Sequence, residues 1–290
     1  MVVIECIHSR PDELQAAIDE FPAAYIPIGS LEWHGKHLPL GFDGLKAEAL
    51  LRRVAERLDK GVFFPTMYWR NYDTMNFPLT MHTPSFSAWS IAKQLYGMGF
   101  KIIVMVTGHY PAGQVKNVQS AATRLMKKHD DAYAIGIAEQ FILQDLGYFG
   151  DHAARGETSL GLALFPERVD LASLPDGLPY MRRCKELGIM GQDPKLHATA
   201  EFGEQLVSAF VDRLTTIIEQ AWTSKSQEPI WAMYADASKR FRDWQSPFKL
   251  AFKLDNLVKA TGMDSKKDLL GHAAWFLFHK NHQIKPREEG

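Results

Sequence analysis

The chain of 290 residues reads as an α/β protein, three layers deep (α/β/α) on a mostly parallel sheet, with a helical C-terminal appendage. Three observations predict this. Short runs rich in Ile and Val are apolar on both faces, as strands buried in a parallel sheet are. They alternate with amphipathic segments at helical spacing, the pattern of parallel strands joined by crossover helices. From about residue 223 the strand-like runs stop, and an aromatic-rich, modestly basic segment follows.

The elements follow in order. AAYIPIG at 23–29 is a buried strand, and LKAEALLRRVAERL at 45–58 carries apolar residues at helical spacing. FSAWSIAKQLYGMG at 86–99 is a second helix, FKIIVMVTG at 100–108 a second strand, and GQVKNVQSAATRLMKKH at 113–129 a third helix. AYAIGIAE at 132–139 is a third strand. A helix starts at GETSLGLALF, and another spans roughly 200–222. We therefore expect an α/β domain over 1–222 and a helical extension over 223–290. The extension's Trp231, Tyr234, Phe241, Trp244, Phe248 and Phe252 would pack on the core or on a neighbouring subunit.

Composition narrows the functions. The chain is 46% hydrophobic and 23% charged with a formal net charge of -1, which gives no electrostatic reason to expect nucleic acid or an anionic membrane as partner. A small-molecule substrate fits better. The two cysteines, Cys6 and Cys184, lie far apart and form no CxxC or Cys/His cluster, so a disulfide framework is excluded and a reducing cytoplasm is the default. The start MVVIECIHSRPDEL lacks the features of a signal peptide, and no apolar run approaches the ~18 residues of a membrane span.

Ligands in such a fold bind beyond the carboxyl ends of the strands, and polar clusters sit there. IPIGSLEWHGKHLPLGFD at 26–43 places Glu32, His34, His37 and Asp43 just past a core strand. In extended chain Glu32 and His34 project to the same side, and the pair suits one metal ion or two neighbouring ones. Asp43 is expected to return on a loop, with Gly29, Gly35, Gly41 and Gly44 allowing the turns. Imidazole and carboxylate together suit zinc or manganese. His109 follows the strand IIVMVTG directly, where an imidazole needs a partner for its ring nitrogens. In DHAARGETSL, Glu157 has two readings, a site residue or a carboxylate favoured near a helix start capped by Thr158 or Ser159; His152 in the preceding loop is left unexplained by the second. There is no G-x-S-x-G elbow and no phosphate-binding GxxxxGK[ST] loop.

These three motifs, in this order and over residues from about 20 to 220, resemble the signatures of the creatininase (creatinine amidohydrolase) family. The resemblance implies a metal-dependent hydrolase using a divalent metal, Zn or Mn, with one or two ions per subunit. It assigns Glu32 and His109 to one ion and His34 to the other, with Asp43 bridging them and His37 supporting the ligands. It makes His152 the acid or base at the reacting nitrogen and sets Glu157 on the site floor, near metal or substrate. It also implies a homo-oligomer, since relatives form hexamers.

The departures from the family pattern are specific. Pro111 stands where creatininase itself has a glutamate ligand, and Glu157 is the candidate to compensate. Tyr148 replaces a tryptophan that encloses creatinine, so creatinine is not the expected main substrate. Trp33, Lys36 and Thr107 also depart from the usual residues. Tyr110 and Tyr148 are candidate substrate contacts, as are Arg70, Tyr72, His82 and Thr83 in the segment 69–89, for which packing alone is the alternative. The expected reaction is hydrolysis of a small cyclic or linear amide. The alternatives are ring opening of an oxidised cyclitol or keto-sugar, and a non-catalytic relative that binds a small molecule.

Overall fold

The computed structural model describes residues 3–69, 79–81, 87–245 and 268. Strand β1 (Ile4–Glu5) and helix α1 (Pro11–Glu20) precede the central strand β2 (Ala23–Gly29). Helix α2 (Phe42–Leu58) leads to β3 (Val62–Phe63) and β4 (Met67–Tyr68). Then come α3 (Ala88–Gly97), β5 (Ile102–Thr107), α4 (Ala112–Lys128) and β6 (Tyr133–Ala138). Helices α5 (Arg155–Leu164), α6 (Tyr180–Arg182), α7 (Pro194–His197), α8 (Ala200–Ser224) and α9 (Glu228–Gln245) complete the described chain. Among the described residues no helix is long and apolar enough to cross a membrane.

The pairings between these strands are parallel, in the order β1-β3-β2-β5-β6, with β4 beside the end of β2. Every residue of β2, β5 and β6 is buried, which is why these three read as continuous apolar runs. From β2 the chain crosses through α2 to β3 on one side; from β5 it crosses through α4 to β6 on the other. Crossovers of one hand running in opposite directions place their helices on opposite faces. Two helix groups accordingly flank the sheet, α2 with α5 and α8, and α3 with α4. The point where the winding reverses lies between β2 and β5, and the crevice beyond their carboxyl ends is the expected ligand position.

Asp43 is not on a returning loop. It lies in the first turn of α2, because the helix starts three residues earlier than its apolar spacing suggests. The glycines explain the placement, but through close approach: a Cβ on Gly29 would lie 2.2 Å from the Gly44 nitrogen, and one on Gly108 would lie 2.1 Å from the Asp43 carbonyl oxygen. The ends of β2 and β5 thus press directly against the start of α2. Of the four glycines in this stretch, Gly35 alone has a positive φ, 69°, and makes a sharp turn. The start of α5 also differs from expectation. The helix begins at Arg155, and its first amides, those of Gly156 and Glu157, donate to Asp151 at 2.7 and 3.0 Å; Thr158 and Ser159 lie inside the helix, so neither caps it.

Helix α9 joins the main core, burying Ile230, Met233 and Tyr234. The Tyr234 hydroxyl accepts the Gly136 N–H at 2.9 Å and donates to the Gly136 carbonyl at 3.3 Å, satisfying both outward polar groups of a residue in the edge strand β6. Tyr234→Phe is expected to lower stability by about 1–3 kcal/mol, the cost of orphaning buried backbone groups, measured by urea unfolding at unchanged m-value. An unchanged midpoint would mean that water replaces the hydroxyl. The side chains of Phe241 and Trp244, and residues Phe248 and Phe252, lie outside the described residues.

Candidate metal centre

Glu32 and His34 follow β2, Asp43 opens α2, His109 follows β5, and Glu157 sits in the first turn of α5; all five are buried. Thr107 sets the turn that carries His109. Its hydroxyl donates to the His109 carbonyl at 3.0 Å and accepts the His109 N–H at 3.2 Å and Gln114 Nε2 at 3.0 Å. His109 Nδ1 then lies 2.9 Å from Glu32 Oε1 and 3.1 Å from Asp43 Oδ2. His34 Nε2 lies 3.1 Å from Asp43 Oδ1 and 3.6 Å from Glu157 Oε2. The two carboxylate oxygens of Asp43 therefore face two different imidazoles. Ligand atoms from Glu32, Asp43 and His109 fall within 4.8 Å of one another, and so do those from His34, Asp43 and Glu157, and those from Glu32, His34 and His152.

Hydrogen bonding fixes which nitrogen faces inward. His34 Nδ1 lies 3.1 Å from the Glu32 carbonyl oxygen; that oxygen can only accept, so Nδ1 carries the hydrogen and Nε2 turns toward the carboxylates. His152 repeats the device: its Nε2 donates to the Trp33 carbonyl at 2.9 Å, and Nδ1 points toward Glu32 Oε1 at 3.8 Å. His34 Nε2, Glu32 Oε2 and Asp43 Oδ2 are buried without a hydrogen-bond partner. Lone pairs facing lone pairs in a dry site require positive charge between them, whether protons or a cation. The donor set, imidazole nitrogen with carboxylate oxygen, is that of zinc or manganese sites. The residues present therefore fit a divalent ion.

Charge shows the same demand. Burial by itself would strip a proton from His34, yet Asp43, Glu157 and Glu32 more than offset it and hold the ring's pKa at about 9. His109 is likewise opposed by burial and raised by Glu32 and Asp43 to about 10. Asp43 resists burial and stays well below the usual carboxylate range because His34 and His109 flank it. His152 goes the other way: burial and the neighbouring His34 ring, 4.4 Å away between centroids, lower its pKa and keep it neutral. Its side chain is 14% exposed, against 0% for His34 and 2% for His109, so of these three imidazoles it is the one open to solvent. Ala153, next to it, is held at φ 51°, a strained value for a residue with a Cβ, and its N–H donates to Glu157 Oε2 at 2.7 Å.

His37 stands apart from the three ligand groups. Its Nε2 meets Thr158 Oγ1 at 2.9 Å, tying the EWHGKH segment to α5, and burial, with His34 close by, pushes its pKa down to about 3. Pro111 caps α4, its carbonyl accepting the Gln114 N–H at 2.8 Å. Trp33 donates Nε1–H to the Leu187 carbonyl at 2.7 Å, and Lys36 is exposed. Arg70, Tyr72, His82 and Thr83 lie outside the described residues.

Tyr110 and Tyr148 belong to a network that sequence reading missed. Lys46, fully buried, has its ammonium 2.6 Å from Glu157 Oε1 and 2.8 Å from Glu139 Oε1, and it also bonds the Tyr110 hydroxyl. Tyr110 donates to Glu139 and shares a 2.6 Å bond with Tyr148, which donates to Glu139 at 3.3 Å. Burial raises the Glu139 pKa against the pull of Lys46. A signal for Glu139 was present: it follows β6 directly, at the same end of the sheet as Glu32 and His109.

A parallel sheet that presents an imidazole–carboxylate cluster at its winding reversal defines a metal-dependent α/β hydrolase. The chain belongs to the creatininase family, whose model, described as creatinine amidohydrolase, matches residues 8–218. It is 28% identical over 178 residues to the creatinine amidohydrolase of Pseudomonas putida, covering 53% of this chain and 68% of that one. It is 30% identical over 232 residues to the mycofactocin precursor peptide peptidase of Mycobacterium ulcerans (strain Agy99), covering 70% and 86%. Among solved structures, a manganese creatininase superposes with a TM-score of 0.62 at 24% identity over 75% of this chain and 98% of its own, which shows the shared fold.

Proposed function

We propose that the chain hydrolyses a carbon–nitrogen amide bond with the help of one or two divalent ions, zinc or manganese. The observation that carries this is Asp43, a buried carboxylate shared between two inward-facing imidazoles. Glu32, Asp43 and His109 would hold one ion, and His34, Asp43 and Glu157 the other; Glu157 thereby does the work that Pro111 cannot. An ion bound there supplies Lewis acidity, lowering the pKa of water and polarising a carbonyl.

The protein's own contribution is proton handling and orientation. His152 is the reachable, neutral imidazole, and Nδ1 turns inward because Nε2 is tied to Trp33. It would take a proton from the water whose oxygen bonds the carbonyl carbon and return it to the leaving nitrogen as the C–N bond breaks, releasing a carboxylic acid and a neutral amine. Tyr110 and Tyr148 stand behind the cluster, joined to it through Lys46 and Glu139. Their hydroxyls are tied to each other and to Glu139, so their rings are fixed in place. With Tyr148 in place of a stacking tryptophan, and a peptide peptidase and a creatinine amidohydrolase both among the relatives, linear peptide-like amides are the favoured substrates over creatinine.

The test is a panel of creatinine, other lactams, formamides, short peptides and keto-cyclitols, assayed after chelation and again after adding Zn²⁺ or Mn²⁺. Metal-restored cleavage of an amide supports the reading; cleavage of a keto-cyclitol alone overturns it. On the amide found, His152→Asn is expected to lower kcat about 10²- to 10⁴-fold while metal content stays at the wild-type level. Loss of metal in that variant would make His152 a ligand instead.

A further inference from the structure

Lys46 is a lysine with no exposed surface in the middle of the site. It lies one helical turn after Asp43 on the inward face of α2, and nothing about amide hydrolysis demands it. Its position is asymmetric. The ammonium is 2.6 Å from Glu157 Oε1, while the other oxygen of that carboxylate accepts the Ala153 N–H and faces His34. Among the described residues Glu32, in the opposite half, has no lysine or arginine partner, only His109 and His152. Glu139, again among the described residues, reaches the cluster only through Lys46, the two tyrosines being its other partners. Among the described residues, therefore, a permanent positive charge is bonded to a carboxylate of one metal-binding triad and to none of the other.

We propose that Lys46 is a built-in cation that divides the cluster into one tight position for a divalent ion, Glu32/Asp43/His109, and one weak position, His34/Asp43/Glu157. The inference rests on the metal-hydrolase reading above. An ammonium bonded to a ligand carboxylate acts twice against a second ion: it competes for the carboxylate's charge, and it repels the incoming cation across a medium of low dielectric. The two halves then differ in affinity although both contain one imidazole and two carboxylates. The weak half would fill only at high metal concentration, which makes the resting centre mononuclear.

The experiment is titration of the chelator-stripped full chain with Mn²⁺, with free ion read by electron paramagnetic resonance. Wild type is expected to bind two ions in separate steps, the second roughly 100-fold more weakly. Lys46→Met, which keeps the aliphatic stem, should tighten the second step at least about tenfold and leave the first nearly unchanged. Lys46→Arg, which keeps the charge, should retain the weak second step. Should Lys46→Met fail to fold, Glu139→Gln serves: it removes the carboxylate that offsets the ammonium and should weaken the second step further. Two equal steps in wild type, or a second step that neither Lys46→Met nor Glu139→Gln moves, overturns the division of the cluster and leaves the hydrolase reading standing. No Mn²⁺ bound by wild type overturns both.

Discussion

Asp43→Ala is expected to empty the centre even with metal in excess, whereas Glu32→Gln should then still let the weaker His34/Asp43/Glu157 half bind. The difference follows from the geometry: Asp43 Oδ1 is 3.1 Å from His34 and Oδ2 is 3.1 Å from His109, while Glu32 Oε1 contacts His109 on one side only, at 2.9 Å. Deleting the shared carboxylate also removes the one charge that stabilises both imidazolium forms, leaving Glu32 beside His109 and Glu157 beside His34. Activity should fall about 10³-fold or more, the several kcal/mol that Lewis-acid stabilisation supplies. Titration of both chelator-stripped variants beside wild type with excess Mn²⁺ decides the matter. Full metal content in Asp43→Ala would remove Asp43 from its bridging place, and with it the case for a two-ion centre.

The second large effect concerns the backbone that places Asp43. Gly108→Ala is expected to lower stability by about 3 kcal/mol or more, because the added methyl would meet the Asp43 carbonyl at 2.1 Å, a clash between two backbone segments that no rotamer relieves. For a domain of this size that is roughly 6–12 °C in Tm. The control is Gly97→Ala at the end of α3, where a methyl meets nothing within 4 Å and the change should be small or favourable. Calorimetry on both, with metal content measured in parallel, separates a local clash from a general intolerance of the core. If Gly108→Ala melts like wild type, the junction of β5 and α2 is softer than its packing implies.

Much of this architecture can be read from the chain, for identifiable reasons. Strands β2, β5 and β6 are buried end to end and so announce themselves as unbroken apolar runs. Strands β1, β3 and β4 are two residues each, too short to show any periodicity. Glu32, His34, His109 and Glu157 are legible because polar ligand-type residues at strand ends and helix starts are conspicuous beside apolar runs. Asp43 is legible as a residue but not as part of a helix, since Gly41 and Gly44 hide the start of α2. Lys46 is illegible: a lysine in an amphipathic helix ordinarily marks its wet side. Only the arrival of Glu139 from β6 and Glu157 from α5 makes its burial sensible, and those lie 93 and 111 residues further along.

The tyrosine that α9 lays against Gly136 bears on assembly. An outer strand with free amides and carbonyls is an open seam, onto which a strand from another molecule can zip. Tyr234 closes that seam at the middle of β6, and at the opposite margin β1 offers two residues among those described, a short edge. Copies of this chain are therefore barred from continuing one another's sheet at β6. A contact at that margin would run through α9 instead, where surface side chains can change without disturbing the strands that carry the candidate ligands.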